Sequence, residues 1–463
     1  MTPRAIAYSW RELCVRAGLV SSGSPGGDVS DLPVALHYGD APTDRSRPTV
    51  VVRRASDRSW RDLLGAAENC LEWRTSEELT PPGSGLAFEN QVPILFWAEQ
   101  CEVGQPFASL DSTDLLVFNA DILAATFFML TRWEETQVQA SDLHGRFPAA
   151  ASTAFRLGFL DLPVIDQYAM ILREWLKALL PGWVPKCKRF EVKLSHDIDF
   201  VGTPTDLAGW TRRLGGDLIV RRDPRGAWRN AREAVWQWAR PQRMLQRSGI
   251  AALVSLSEQF GFESAFYFMA TRPGPRESDY DVATRPLRRA IDELRGRGFE
   301  VGLHAGYHTF DDVERLATEK HRFDDVLGHA DYGGRQHYLR FRAPTTWRHW
   351  DLVRLAYDST VSYPDHEGFR CGTCHPFLPF DLDHDRELRL YEIPLIVMDG
   401  TLFAYRRLTP PEGASTIDLL ARRCREVEGV FTLLWHNVSE DPEWSVHAPL
   451  YPTVLGALAS LRG

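Results

Sequence analysis

The stretch Lys193-Leu194-Ser195-His196-Asp197-Ile198-Asp199 decides how this chain is read. It closes a segment, Glu191–His196, that has the pattern of a buried strand. Side chains two apart on a strand share a face, so Asp197 and Asp199 are expected to point together into one pocket. Two carboxylates that close repel unless a cation lies between them or one keeps its proton. A metal bound by one, with the other acting as base, removes the conflict. Taken alone, an Asp-x-Asp pair in a chain with 62 acidic residues reads equally well as a solvated turn.

Downstream of this stretch strands and helices alternate. The expected strands are Ser264–Met269, Phe299–Leu303, Tyr338–Arg342, Ala356–Ser359, Leu390–Val397 and Gly429–Trp435. Helices fall at Ile250–Phe260, Arg285–Arg297 and Ile417–Val427. Such alternation implies parallel strands covered by helices, and seven strands approach a (β/α) barrel, whose chemistry lies at the C-terminal strand ends. Residues 205–247 break the pattern. They carry ten arginines, among them Arg212, Arg221 and Arg243, together with Trp210, Trp228, Trp236 and Trp238. They read as a helical insertion packed on the barrel, or as a basic arm for an anionic substrate or a membrane surface.

Upstream, residues 1–185 read as a smaller α/β domain. Thr49–Val52 and Val92–Trp97 look like strands, and Ile122–Trp133 like a buried helix capped by Asn119 or Asp121. A helix over Gln167–Leu180 stops at Pro181-Gly182, which sets the domain boundary, with the barrel spanning 186–463.

Three more motifs fall at expected strand ends. Val301-Gly302-Leu303-His304-Ala305-Gly306-Tyr307-His308 places two histidines four apart, which can close on one metal if the chain turns at Gly306. A structural histidine pair has the same spacing. Arg342-Ala343-Pro344 offers a guanidinium that could hold a carboxylate ionised and oriented, or a surface arginine before a turn proline. Leu433-Leu434-Trp435-His436 ends a hydrophobic strand in a group that could protonate a leaving amine, or in a satisfied rim histidine. Each is weak alone. Their joint placement on the face where barrels keep their chemistry is the stronger signal.

In this order the motifs resemble those of the polysaccharide deacetylases of carbohydrate esterase family four, over roughly residues 190–440. The resemblance implies a distorted (β/α)7 barrel and hydrolysis of an N-acetyl amide on a sugar or glycoconjugate. It makes Asp197 the general base, Asp199, His304 and His308 the metal ligands, Arg342 the residue orienting Asp197, and His436 the general acid. The family's usual first motif has adjacent aspartates, whereas the spaced pair here matches a subset. Asp399 is preferred over Asp358 and Asp365 as the carboxylate tuning His436, because it ends the strand that precedes that of His436. Tyr307, Phe369, Arg370 and Trp435 are expected to contact substrate, with Asp365–Phe377 as a loop roofing the site. The cofactor implied is a divalent metal, Zn²⁺ first, with Co²⁺, Ni²⁺, Mn²⁺ or Fe²⁺ as alternatives.

The remaining signals bound the reading. A net charge of −9 over 463 residues argues against nucleic acid as a partner. No long apolar run predicts a transmembrane helix, so membrane contact would be peripheral. The first twenty residues lack a secretion-signal pattern, and the seven cysteines are scattered and odd in number. Both favour a cytoplasmic location and a cytoplasmic N-acetylated sugar, glycolipid or glycoside as substrate. Cys371-Gly372-Thr373-Cys374-His375 matches a haem-attachment pattern, which needs an exported chain. Asp381, Asp383 and Asp385 alternate as in a calcium loop without its glycine or terminal glutamate. A glycan-binding barrel without catalysis, or a non-haem iron oxygenase, would be the competing functions.

Overall fold

The computed structural model describes residues 1–20, 32–43, 46–67, 70–101, 104–111, 114–201, 210–211, 214, 218, 223–239, 248–437 and 447–462. Among the described residues, six strands precede residue 185: β1 (Ala35–Tyr38), β2 (Thr49–Val52), β3 (Glu72–Arg74), β4 (Val92–Ile94), β5 (Ala108–Leu110) and β6 (Leu115–Phe118). Strands β1, β2, β6 and β5 form a sheet in that order, parallel except for the last pair, and β3 pairs with β4. The helix Ile122–Leu130 is buried along its whole length. Asp121 caps it by accepting from the Ala124 N–H at 2.8 Å, which satisfies an N–H that the helix leaves unpaired. The helix expected from Gln167 begins three residues earlier and runs Val164–Leu179.

The second sheet holds β7 (Glu191–Ile198), β8 (Ser264–Met269), β9 (Glu300–Ala305), β10 (Gly334–Gln336), β11 (Tyr357–Asp358), β14 (Tyr391–Glu392), β15 (Val397–Met398) and β16 (Val430–Leu434). A small hairpin, β12 (Phe380–Asp381) with β13 (Arg386–Glu387), lies apart. The order is β14-β11-β10-β9-β8-β7-β16-β15 and every neighbouring pair is parallel. The result is an α/β half-barrel of eight parallel strands. Its two edge strands are consecutive in the sequence. The single segment 391–398 pairs with β11 at its start and with β16 at its end, so it bridges the two edges.

One expected strand is displaced. Tyr338–Arg342 is not a strand: β10 lies before it, and the chain turns at Tyr338 and Leu339, both left-handed with φ near 61° and 51°. Gly334 explains why β10 carries so little apolar signal. A Cβ there would stand 1.9 Å from the Leu303 carbonyl oxygen, so the close approach of β10 to β9 requires glycine. A residue type that reads as a breaker in the sequence is here what lets the strand pair.

The larger of two hydrophobic clusters among the described residues runs through both parts of the chain, from Leu13 and Phe128 through Ile165 to Phe369 and Leu433. Most of the Arg- and Trp-rich stretch 205–247 lies outside the described residues. Within it, Trp210 is buried, and on the helix Pro224–Ala239 Trp228 is exposed. No helix among the described residues is long and apolar enough to cross a membrane.

Candidate metal centre

On β7 the alternation of side chains sorts the first motif. His196 faces outward, against Phe266, with Nδ1 on the Trp435 carbonyl at 2.7 Å. Burial pushes its pKa down to about 4, so it stays neutral. Asp197 and Asp199 face the cavity. Asp197 Oδ1 accepts from Arg335 Nη1 at 2.9 Å. Arg335, fully buried on β10, is itself fixed by Ser195 Oγ, the Ser359 carbonyl and Ser359 Oγ at 2.7–3.0 Å. Every arm of that guanidinium is used, so the orientation of Asp197 is set by the sheet.

Three donor atoms converge beside it. Asp199 Oδ1 lies 3.2 Å from His304 Nε2 and 3.4 Å from His337 Nδ1, and the two ring nitrogens are 2.9 Å apart. His304 Nδ1 faces the Arg335 carbonyl at 3.0 Å. That carbonyl can only accept, so Nδ1 carries a proton and Nε2 is the ring nitrogen that faces the cluster. Asp199 Oδ1 is buried without a hydrogen bond. Ligand atoms around a tetrahedral Zn²⁺ stand about 3.3 Å apart for bonds of about 2.0–2.1 Å. A facing set of one carboxylate and two imidazoles at these separations fits a divalent cation. Among the described residues, Asp199, His304 and His337 are the one such group of three or more side chains.

His436 closes the other side. Its Nδ1 lies 2.6 Å from Asp399 Oδ1, its backbone N–H donates to Asp399 Oδ2 at 2.8 Å, and its Nε2 is 3.7 Å from Asp199 Oδ2. The pairing of β15 with β16 brings the two residues together, with Met398 opposite Leu434. Burial disfavours the His436 charge, but Asp399, then Asp199 and Asp197, raise its pKa to about 10. Burial also opposes ionisation of Asp199, yet His337, His304 and His436 hold it well below the usual carboxylate range. The whole cluster floors a cavity of about 450 Å³ whose walls include Arg146, Arg276, Tyr338 and Tyr405.

Two residues expected here lie elsewhere. His308 is exposed, because the turn after β9 directs it outward while His304 points in. His337 holds the third place in the cluster. Arg342 is 56% exposed and pairs with Asp311 at 3.4 Å, and Arg335 takes the contact with Asp197. The places of Arg335 and His337 follow from the displaced strand: the end of β10 is Gln336, so its neighbours Arg335 and His337 reach the site. The signal was a buried-strand length of chain at 334–336 without apolar residues, which periodicity does not detect.

The expected substrate contacts also divide. Tyr307 is buried beneath the cavity mouth, where its hydroxyl meets His144 Nδ1 at 3.0 Å and Arg276 Nη1 at 3.3 Å. Trp435 stacks on Tyr451 and lines a smaller pocket beside His436 and Asp399. Phe369 and Arg370 are buried against the N-terminal part instead: Arg370 pairs with Glu135 at 2.6 Å, and the Phe369 N–H donates to the Leu160 carbonyl at 2.7 Å. The loop 365–377 therefore buttresses that junction, and none of its residues lines the large cavity. Within it Cys371 and Cys374 are buried free thiols, and the Cys374 N–H donates to Asp166 at 2.8 Å. Asp381 is buried and holds Arg348 and His384 at 3.1 and 2.9 Å.

Comparison with known proteins adds little to this geometry. Residues 69–181 match a family model described as "Family of unknown function (DUF7033)", which covers about a quarter of the chain. No curated protein matches the sequence. A solved structure, "Crystal structure of putative polysaccharide deacetylase from Mycobacterium smegmatis", aligns over 60% of this chain and 87% of its own length. Its sequence identity is 16% and its TM-score 0.37, a likeness too loose to argue from.

Proposed function

We propose that the chain is a metal-dependent hydrolase that removes an acyl group, acetyl first among candidates, from the nitrogen of a sugar or glycoconjugate. The observation that carries this is the convergence of Asp199, His304 and His337 between two further prepared groups: Asp197 locked by Arg335, and His436 locked by Asp399. The order of motifs, which resembles that of polysaccharide deacetylases, supports the same reading, as does a barrel read as a distorted (β/α)7 with its site at the strand ends.

Asp199, His304 and His337 would hold the divalent ion, Zn²⁺ by the chemistry of two imidazoles and a carboxylate. Such an ion supplies an activated water and a polarised acyl carbonyl. Asp197 has one oxygen tied to Arg335 and the other, Oδ2, 3.8 Å from His304 Nε2, so that free oxygen is placed to take a proton from the attacking water. His436 keeps Nδ1 on Asp399 and turns Nε2 to the cavity, where it would protonate the departing nitrogen. A glycan-binding barrel would need neither locked pair.

The test is direct. Purified protein is expected to carry about one divalent ion per chain and to release acetate from an N-acetylated sugar in a metal-dependent way. Loss of neither property in His304→Ala would overturn the site. Dioxygen consumption with Fe²⁺ and no acetate release would replace hydrolysis by oxygenase chemistry.

A further inference from the structure

The cavity has a floor built for hydrolysis and a mouth built from cations. Arg276 lies on the mouth, in the turn after β8, with a left-handed φ of 62°. Its guanidinium rests 5.0 Å from the centre of the Tyr307 ring and makes one long hydrogen bond, 3.3 Å, to the Tyr307 hydroxyl. Among the described residues no carboxylate forms an ion pair with it. Neighbouring Glu277 lines the same wall, yet its carboxylate turns to the Tyr307 N–H at 3.2 Å and burial raises its pKa. Most of Arg276's five N–H donors are therefore open to the cavity.

Two further arginines frame it. Arg146, from the N-terminal part, is held by Asp142 at 2.6 Å, the Tyr338 carbonyl at 2.9 Å and the Tyr405 hydroxyl at 3.1 Å. Arg340 lies over the Tyr307 and Phe310 rings at 4.1 and 3.8 Å and donates to the His144 carbonyl at 2.8 Å. Among the described residues, only Arg146 of these three arginines is in direct contact with a carboxylate, that of Asp142. Two histidines register the excess. His144 and His308 both have lowered pKa values, from burial first and then from Arg146, Arg276 and Arg340 in one case and Arg315, Arg340 and Arg276 in the other.

We infer that this mouth is an anion subsite with Arg276 as its contact residue, so that the N-acyl sugar bound here carries an oxyanion, a phosphate or a carboxylate, beside the amide. This rests on the hydrolase reading for the identity of the floor. A planar guanidinium with open paired donors matches either oxyanion in a bidentate contact. The arrangement also gives the N-terminal part a share in substrate selection, since Arg146 and His144 are its residues and fix Tyr338 and Tyr307 around Arg276.

Calorimetric titration of the metal-loaded full chain, with acetate release followed in parallel, tests this. The probes are N-acetylglucosamine, its 1-phosphate and 6-phosphate, and N-acetylmuramic acid as the carboxylate arm. At least one charged probe is expected to bind about ten-fold or more tightly than the neutral sugar, as one charged hydrogen-bonded contact supplies. Arg276→Gln is expected to remove that preference while leaving the neutral sugar within about two-fold, and added salt to weaken the charged probe alone. The arm that responds identifies the oxyanion. Equal binding of charged and neutral probes, or a preference that survives Arg276→Gln, overturns the subsite. Absence of acetate release from every probe would instead sink the hydrolase reading, and the binding preference would still be decided.

Discussion

Arg335 and Arg370 are both fully buried arginines paired with a carboxylate, and the surroundings of the two could hardly differ more. Arg370 belongs to the junction between the N-terminal part and the barrel. Glu135 accepts from both Arg370 and Arg132, Glu134 accepts from Arg132 and the Thr153 N–H, and Arg370 reaches the Ser362 carbonyl at 2.7 Å. Burial would raise the Glu135 pKa, but the two arginines bring it below its usual value. Donors and acceptors are matched around this pair. Arg335 stands beside a cluster that is not matched: two imidazole nitrogens 2.9 Å apart and a buried, unbonded carboxylate oxygen, open to a cavity. Buried charge alone marks structure as often as chemistry. A buried carboxylate oxygen without a donor, facing two imidazole nitrogens on a cavity floor, is what separates the two regions.

The sharpest way to break the comparison is to remove a ligand from one region and its counterpart in sequence from the surface. His337→Ala is expected to lose metal from the purified protein and to lower acetate release about 10³-fold or more, as removal of a metal-activated water does. His308→Ala should leave metal content and rate near those of the parent. Metal analysis of the two variants side by side decides it, and the reverse result would restore the His304–His308 pair.

The junction should respond in stability instead. Glu135→Gln leaves Arg132 and Arg370 buried with too little negative charge, which costs about 3–5 kcal/mol for a broken buried pair. Urea unfolding should show that loss, while the folded fraction keeps its metal. A variant that kept its stability and lost metal would erase the distinction between the two regions.

Much of this contrast was legible in the residues, and the part that was not has a physical cause. Asp197, Asp199, His304 and His436 stand at the ends of strands whose apolar runs are clear: Ser264–Met269 was found at its expected bounds, and Val430–Leu434 within two residues. The placement of Asp399 against His436 rests on strand order, which put two consecutive strands side by side. His337 and Arg335 were hidden because Gly333-Gly334-Arg335-Gln336 has no hydrophobic period, and its strand depends on β9 approaching a residue with no side chain. Arg370 illustrates the opposite error: a polar residue in a loop near site motifs looked like a substrate contact, and only the packing of the N-terminal part shows what it meets.

Within the site, the support for His436 should be graded below the ligands. Asp399→Asn keeps the shape but gives His436 Nδ1 a weaker partner, so a fall of about 10–100-fold in kcat is expected with metal content retained. Retained metal is the discriminating readout, since a merely structural failure would lower both.

A subtler contrast concerns pH. Asp358 and Glu392 face each other across β11 and β14, buried, without an arginine between them. Burial raises Asp358 to about 7, and burial together with the Asp358 charge raises Glu392 well above its usual value. A carboxyl whose pKa rises on folding holds its proton more tightly in the folded chain. Its contribution is therefore present below about pH 4, the unfolded value, and is lost as pH climbs through about 7. Thermal unfolding followed from pH 5 to 8 should show a downward slope that Asp358→Asn makes shallower; an unchanged slope would mean the pair is already ionised.

The smallest effect is expected at Arg342, and it is informative because the order of motifs set that residue beside Asp197. Its side chain is more than half exposed, and its partner Asp311, 3.4 Å away, is 37% exposed. An ion pair in that setting is screened by water and is worth about 0–1 kcal/mol. Arg342→Ala should therefore shift stability by no more than about 0.5 kcal/mol and leave acetate release within about two-fold. Arg335→Met, similar in length and apolar, removes the guanidinium that fixes Asp197 Oδ1, so acetate release is expected to fall far more than in Arg342→Ala. If the two arginines responded alike, the assignment of Asp197's partner to β10 would fail, and with it the reason for placing the strand's end, and His337, at the proposed metal site.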